Sequence, residues 1–155
     1  GSPARLVVAH RGEETAQLER LAAQLGVADS VDFIGWVDEA ELPALYHASD
    51  IYLSVPSSDA SAVSNLEAMA SGLAVVASNL PSTREWITDG VTGRLVPPGD
   101  IGALTAALSE LVSDAGLRER LGRAAREVAE ARGSRRQQMD RASQLYRDLA
   151  EGVLP

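Results

Sequence analysis

The chain of 155 residues contains no cysteine and only two histidines. The absence of cysteine excludes disulfide bonds, thiolate catalysis and metal sites with cysteine ligands. Because the two histidines do not form a helical His-x-x-x-His pair, a metal site would have to be built from carboxylates alone. We therefore expect no resident metal and no metal cofactor.

Positive charge is also scarce, with 14 Lys plus Arg residues against 22 Asp plus Glu residues and a formal net charge of −8. Proteins that bind nucleic acids by neutralising phosphates need the opposite balance, so we expect no nucleic acid partner. No apolar run approaches the roughly 18 residues of a membrane span. We expect no transmembrane segment and a cytoplasmic location.

The length of the chain and its hydrophobic content of 45% are sufficient for one compact domain with its own core. Short apolar runs alternate with segments of helical period, which is typical of parallel strands joined by crossover helices. The sequence therefore predicts an α/β fold. The predicted strands are residues 6–9, 31–35, 51–55, 74–77 and 93–96.

Helices are predicted between and after these strands. The segment 14–25 carries apolar residues on one face and should cover the sheet, with Gly26 ending the helix. Asp100 and Asp114 are predicted as N-caps of two longer helices. Shorter helices are expected at residues 42–48, 65–71 and 83–88, and a highly charged C-terminal helix at 134–150.

The loop after the third predicted strand is small and polar. Ligands of open parallel sheets bind beyond the carboxyl ends of the strands, and residues 56–65 lead from such an end into a helix. The amino terminus of that helix offers unpaired N–H groups and a positive dipole, which suit a phosphate or a sugar. Asp59 and Glu67 add two carboxylates.

Each of these residues also has a structural interpretation. Ser64 and Glu67 have the spacing of a capping box, and Asp59 could be a turn residue. Ser82 is predicted to cap the next helix in the same way. For Trp36, packing beside the sheet is favoured over stacking on a base.

The segment from residue 50 to residue 100 resembles the donor domain of family 4 of the retaining glycosyltransferases, which includes sucrose synthases and bacterial mannosyl- and glucosyltransferases. The resemblance lies in DIYLSVPSSDASAVSNLEAMASGLAVVAS, with two acidic residues eight positions apart before Ala-Met-Ala-x-Gly. LGVADSVDFIGWVDEAELPALYHASD and REWITDGVTGRLVPPGD extend it over nearly the whole chain. It implies a Rossmann-like parallel sheet with flanking helices, the C-terminal half of a GT-B fold, which binds a nucleoside diphosphate sugar.

The resemblance also implies roles for individual residues. Glu67 would bind the ribose hydroxyls, and Asp59 would contact the transferred sugar as the catalytic residue. Gly35 and Trp36 would border the base. The backbone amides that hold the sugar and the distal phosphate would be those of Val63, Ser64, Asn65 and Leu66.

Three features depart from the family pattern. Asp59 replaces the more usual glutamate, and residues 9–14 lack the usual glycine-rich turn. The family's first strand-helix unit, with the Arg and Lys that neutralise the diphosphate, has no counterpart, and neither has the N-terminal acceptor domain. The sheet would then contain a gap or a new strand pairing. Residues 1–155 would form a partial donor-binding domain that binds nucleotides weakly and has no activity alone.

Two other functions remain compatible with the sequence. The first is a non-catalytic nucleotide-sugar-binding or interaction module, which the missing cationic residues and Asp59 favour. The second is a nucleotide-sugar epimerase of similar shape, although the acidic pair and the Ala-Met-Ala segment suit a transferase better. The sequence does not indicate the base, the sugar or the acceptor.

Overall fold

A computed structural model describes residues 4–59, 63–133 and 135–150 and contains five strands and seven α-helices within them. The strands are β1 (Leu6–Val8), β2 (Val31–Phe33), β3 (Ile51–Ser54), β4 (Ala74–Ser78) and β5 (Arg94–Val96). The helices are α1 (Thr15–Gln24), α2 (Leu42–His47), α3 (Val63–Ala70), α4 (Pro81–Arg84), α5 (Ile101–Ser113), α6 (Ala115–Arg132) and α7 (Arg135–Ala150). This order confirms the predicted α/β class.

The strands form two separate parallel sheets. β1 pairs with β2, and β4 lies between β3 and β5. Within the ranges that the structure describes, no ladder joins the two sheets. The sequence left open whether the sheet contains a gap or a new strand pairing. The structure shows the gap, which separates β1 and β2 from β3, β4 and β5.

β4 is the central strand of the larger sheet, and all five of its residues are buried. Side chains alternate between the two faces of a strand. Ala74 and Val76 pack on one face with residues of α5 and α6. Val75 and Ala77 pack on the other face with residues of α3 and α6. Because both faces are covered, the strand is a continuous apolar run rather than an alternating one.

Two aspartates begin the long helices as predicted. The Asp100 carboxylate accepts a hydrogen bond of 2.8 Å from the Ala103 amide at the start of α5. The Asp114 carboxylate accepts one of 2.8 Å from the Leu117 amide at the start of α6. Each carboxylate satisfies an N–H group that has no partner within its helix.

A glycine allows α6 to approach the turn between α3 and β4. A Cβ atom at Gly122 would overlap the carbonyl oxygen of Gly72. Gly72 itself has a φ of +79°, a conformation that residues with a side chain adopt only with strain. The close contact of α6 with the larger sheet therefore depends on both glycines.

The prediction that α1 covers its sheet is largely wrong. The helix is formed, and Gly26 follows it with a φ of +69°. Ala22 is buried, but Leu18 and Leu21 are 43% and 46% exposed. Two strands of three residues each present too little apolar surface to bury a helix face of this size.

The last helix, α7, lies within the predicted range, and Ser134 falls outside the described residues. Four of its apolar side chains, Met139, Leu145, Tyr146 and Leu149, are half exposed or more. Among the helices described, none is both long enough and apolar enough to cross a membrane.

Candidate functional site

The loop after β3 is held by two hydroxyl groups, one from the neighbouring strand β4 and one from α4. The Ser78 hydroxyl donates a hydrogen bond of 2.7 Å to the Pro56 carbonyl oxygen. The Ser82 hydroxyl donates one of 2.9 Å to the Asp59 carbonyl oxygen. These bonds hold the loop that carries Asp59 over the carboxyl ends of two parallel strands, where open sheets bind ligands.

The prediction that Ser82 caps a helix is wrong. Helix α4 begins at Pro81, before the predicted start, and the Leu80 amide donates a hydrogen bond of 2.9 Å to the Thr83 hydroxyl. Thr83 therefore satisfies the helix start, and the Ser82 hydroxyl bonds to the Asp59 loop instead.

The four residues predicted to bind through backbone amides lie together in the first turn of α3. N–H groups of a first turn have no partner within the helix, and the helix dipole is positive there. Val63 and Ser64 are exposed, whereas Leu66 is partly buried against the core. Asn65 is only 2% exposed as a whole residue, so its side-chain amide is not open to a ligand.

The Glu67 carboxylate does not form the capping box. Ser64 lies inside the first turn of α3, and Glu67 Oε2 accepts a hydrogen bond of 3.1 Å from the Tyr46 hydroxyl. Burial, followed by this hydrogen bond, raises the pKa of the Tyr46 hydroxyl well above its usual value. Tyr46 therefore remains a neutral hydrogen-bond donor to Glu67 at physiological pH.

An open pocket of about 480 Å³ lies beside α2 and α3. This volume is within the range of small-molecule sites, roughly 300–1,000 Å³. Its wall combines carboxylates and hydroxyls with apolar side chains, which suits a ligand that carries hydroxyl groups next to an apolar face. The lining residues are Glu39, Leu42, Pro43, Tyr46, Glu67, Ala70 and Ser71.

Gly35 and Trp36 lie in the loop that connects β2 to this pocket. Gly35 has a φ of +77°, which turns the chain at the end of the strand. The predicted packing of Trp36 beside the sheet is wrong, because its ring is 75% exposed. The ring centroid lies 5.5 Å from that of His10, at the end of β1. The same loop continues to Glu39 in the pocket wall.

Positive charge near these loops is sparse. Arg84 donates a hydrogen bond of 3.3 Å to Asn79. Arg11, after β1, forms no ion pair with any of the residues described. The described part of the chain contains no group of three or more His, Asp or Glu residues placed to hold a metal.

Sequence patterns missed two residues of this site. Tyr46 was part of a predicted helix, and nothing in its spacing from Glu67 indicated a contact across 21 positions. Ser82 was predicted as a cap because Ser-x-x-Glu spacing is the usual signature of one. Both contacts join separate elements, which local patterns do not report.

Known proteins resemble this chain over most of its length. Residues 1–128 match the family model described as glycosyl transferases group 1. Over 118 residues the chain is 37% identical to a phosphatidyl-myo-inositol mannosyltransferase of Mycobacterium leprae, covering 75% of this chain and 30% of the relative. It therefore spans less than a third of that protein. The match confirms the family resemblance predicted from the sequence.

Solved structures show the same architecture. Sucrose-phosphate synthase from Thermosynechococcus elongatus superposes with a TM-score of 0.86 and 28% identity over 97% of this chain and 39% of the synthase. HepE from Anabaena, in complex with UDP-glucose, superposes with a TM-score of 0.78 and 22% identity over 85% of this chain and 37% of HepE. The second likeness shows the fold alone. Together they confirm the predicted Rossmann-like half of a GT-B fold.

Proposed function

Because this chain belongs to the glycosyl transferases group 1 family, we propose that it is the nucleotide-sugar-binding part of a retaining glycosyltransferase that transfers a hexose. The observation that carries the proposal is Glu67, whose carboxylate lies in a pocket wall one turn beyond the amino terminus of α3. The name of the mycobacterial relative and the UDP-glucose bound to HepE support this class of donor.

In the proposed complex the nucleoside lies in the pocket beside α2 and α3. Glu67 accepts hydrogen bonds from the ribose hydroxyls, for which a carboxylate has about four acceptor positions, one of them used by Tyr46. The exposed ring of Trp36 borders the base together with Gly35. Such a ring can stack on a base of any identity, so this contact leaves the base unspecified.

The diphosphate and the sugar bind at the amino terminus of α3. The amides of Val63 to Leu66 donate to the distal phosphate and the sugar hydroxyls, and the helix dipole favours the charge that builds on the leaving group. We propose that this electrostatic stabilisation makes a metal unnecessary. Binding that is unchanged by EDTA supports this part of the proposal, and binding that EDTA abolishes contradicts it.

Asp59 is proposed to contact the transferred sugar. It follows β3 on the loop that Ser78 of β4 and Ser82 of α4 hold by hydrogen bonds. A fixed loop would hold a short carboxylate at a constant distance from the sugar. The aspartate side chain is one methylene shorter than the glutamate of the family pattern, so we propose that it accepts a sugar lying closer to the loop.

The transfer step is proposed to need a second, acceptor-binding domain. The chain spans less than a third of the mycobacterial relative that it matches. Positioning an acceptor against the donor in a closed cleft can supply roughly 7–11 kcal/mol of the activation barrier. We expect this chain alone to form no product from UDP-, GDP- or ADP-sugars and a panel of acceptors.

Donor binding is tested by calorimetric titration of the chain with UDP-glucose, GDP-mannose and ADP-glucose. We expect one of them to bind weakly, with a Kd above about 1 µM, because few cations lie near the site. Glu67→Gln should weaken this binding about tenfold, since a charged acceptor is lost. The control is Glu127→Gln, which changes an exposed glutamate of α6 and should leave the affinity unchanged.

Three results would contradict the proposal. If none of the three donors binds at millimolar concentration, the chain is not a nucleotide-sugar module. Equal affinity of the wild type and the Glu67 variant, with equal thermal stability, would remove Glu67 from the site. Submicromolar binding would mean that a cation such as Arg11 or Arg84 neutralises the diphosphate.

A further inference from the structure

The Glu67 side chain has one hydrogen-bond partner among the described residues, and this partner is Tyr46. The bond of 3.1 Å joins the Tyr46 hydroxyl to Glu67 Oε2. A glutamate on a helix surface otherwise samples several rotamers, and fixing it costs conformational entropy when a ligand binds. The Tyr46 bond removes part of this freedom before any ligand arrives.

The position of the Tyr46 hydroxyl is set by the core. Tyr46 is 9% exposed and packs in a cluster that contains Met69 of α3. Its ring lies edge-on to Tyr52 of β3, with 5.9 Å between the ring centroids. The Tyr46 ring is therefore attached to α2 and packed against α3 and β3. These contacts fix the position of its hydroxyl group.

The chemistry of the pair leaves Glu67 able to bind a ligand. The tyrosine hydroxyl donates one hydrogen bond, and it occupies Oε2. Oε1 and the remaining lone pair of Oε2 stay available for hydroxyl groups. Because burial raises the pKa of the Tyr46 hydroxyl, the tyrosine is the donor in this bond at physiological pH.

We infer that Tyr46 is a positioning residue, whose hydroxyl holds the Glu67 carboxylate in the orientation that binds the ribose hydroxyls of the nucleotide. This inference rests on the proposed function of Glu67 and adds to it a residue on a different helix. It predicts that the Tyr46 hydroxyl affects the recognition of ribose hydroxyls more than it affects folding.

The test compares the affinities of UDP, GDP and ADP with those of their 2′-deoxy forms, measured by NMR titration. The Kd of the 2′-deoxy form divided by the Kd of the parent nucleotide reports recognition of the ribose. Tyr46→Phe keeps the ring and should lower this ratio about 2- to 10-fold, as expected when one side chain must be ordered on binding. The control Tyr52→Phe makes the same change in the adjoining ring and should leave the ratio unchanged.

A double variant shows whether Tyr46 acts through Glu67. In a Glu67→Ala background, Tyr46→Phe should cause no further loss of discrimination. A second loss of equal size would mean that Tyr46 contacts the nucleotide itself, which overturns the inference. If Glu67→Ala abolishes discrimination but Tyr46→Phe has no effect, the proposed function stands and the inference fails. If Glu67→Ala has no effect, both fail.

Discussion

The chain contains two regions with the same alternation of strand and helix but very different burial. In the first, residues 4–45, Ala22 is the only buried residue. In the second, residues 51–132 without the undescribed residues 60–62, β4 is buried along its whole length between two clusters of core side chains. The comparison shows that a regular α/β pattern predicts the elements but not the depth of the core that they form.

The number of strands in each sheet explains the difference. A central strand such as β4 has a neighbour on each side and helices on both faces, so every side chain meets another element. β1 and β2 have one neighbour each, and α1, which contacts β2, leaves most of its own apolar face exposed. Leu6 and Val7 consequently remain 46% and 40% exposed, although they are as apolar as Val75 and Val76.

The largest expected effect is on core leucines of the second region. Leu111→Ala should lower the free energy of unfolding by about 2–5 kcal/mol, because Leu111 of α5 is fully buried in a cluster with residues of β4 and α6. Leu21→Ala, at a site 46% exposed, should lower it by less than about 1 kcal/mol. Urea unfolding followed by Trp86 fluorescence in a Trp36→Phe background measures both. Equal losses would show that α1 is as deeply buried as α5.

A somewhat smaller effect is expected where α6 meets the larger sheet. Gly122→Ala should lower the free energy of unfolding by about 1–3 kcal/mol, because the added Cβ overlaps the Gly72 carbonyl oxygen. Gly116 lies in the first turn of the same helix, and a Cβ atom there would lie 3.4 Å from the Asp114 carboxylate, which is nearly an ordinary contact. Gly116→Ala should therefore change the free energy of unfolding by less than about 0.5 kcal/mol. Thermal unfolding compares the pair. If both variants match the wild type, α6 does not lie as close to Gly72 as described.

Replacing Asn65 should stabilise the second region slightly. Among the described residues no group bonds to the Oδ1 atom of Asn65, which is buried, and such an atom costs free energy. Asn65→Leu should raise the free energy of unfolding by about 1 kcal/mol and keep nucleotide affinity within about twofold, since the backbone N–H is retained. Urea unfolding measures the change in stability, and NMR titration measures the nucleotide affinity. Reduced stability, or lost binding, would show that the side-chain amide has a partner.

The smallest effect is a pH dependence confined to alkaline solution. Burial raises the pKa of the Tyr46 hydroxyl above its unfolded value of about 10. The folded state therefore holds this proton more tightly than the unfolded state does. The contribution of the protonated Tyr46 hydroxyl to stability is fully present below pH 10, and it is lost as the pH rises further. Tyr46→Phe should make stability above pH 10 less dependent on pH, and Tyr52→Phe serves as the comparison. An unchanged slope in Tyr46→Phe would show that the hydroxyl is not buried.

Much of the fold could be predicted from the sequence. All five strands lie at the predicted positions, and both aspartate caps are formed, because apolar runs and N-cap residues act locally. The exposure of α1 could not be predicted, since it depends on how many strands meet in space. The start of α4 was missed because two capping residues, Ser82 and Thr83, compete for one helix end, and only the structure shows which one forms the bond.

The candidate site was predictable in part. The acidic spacing and the small loop singled out Asp59 and Glu67, and the structure places them in the loop after β3 and on α3. Spacing left two interpretations of Glu67 open, and the Tyr46 bond decides against the capping box. Trp36 was predicted to pack, because an isolated aromatic usually does. Its exposure follows from the position of its loop beyond the small first sheet.

The most direct test of the account is a backbone NMR titration of the chain with UDP-glucose, GDP-mannose and ADP-glucose. The account predicts that the nucleotide sugar that binds will shift the amide signals of Val63 to Glu67 and of the loop from Gly35 to Glu39. The Glu67→Gln variant should need about tenfold more of this nucleotide sugar to reach the same shifts. Shifts confined to other surfaces, such as α7 or the region around Arg118, would contradict a donor site at the amino terminus of α3.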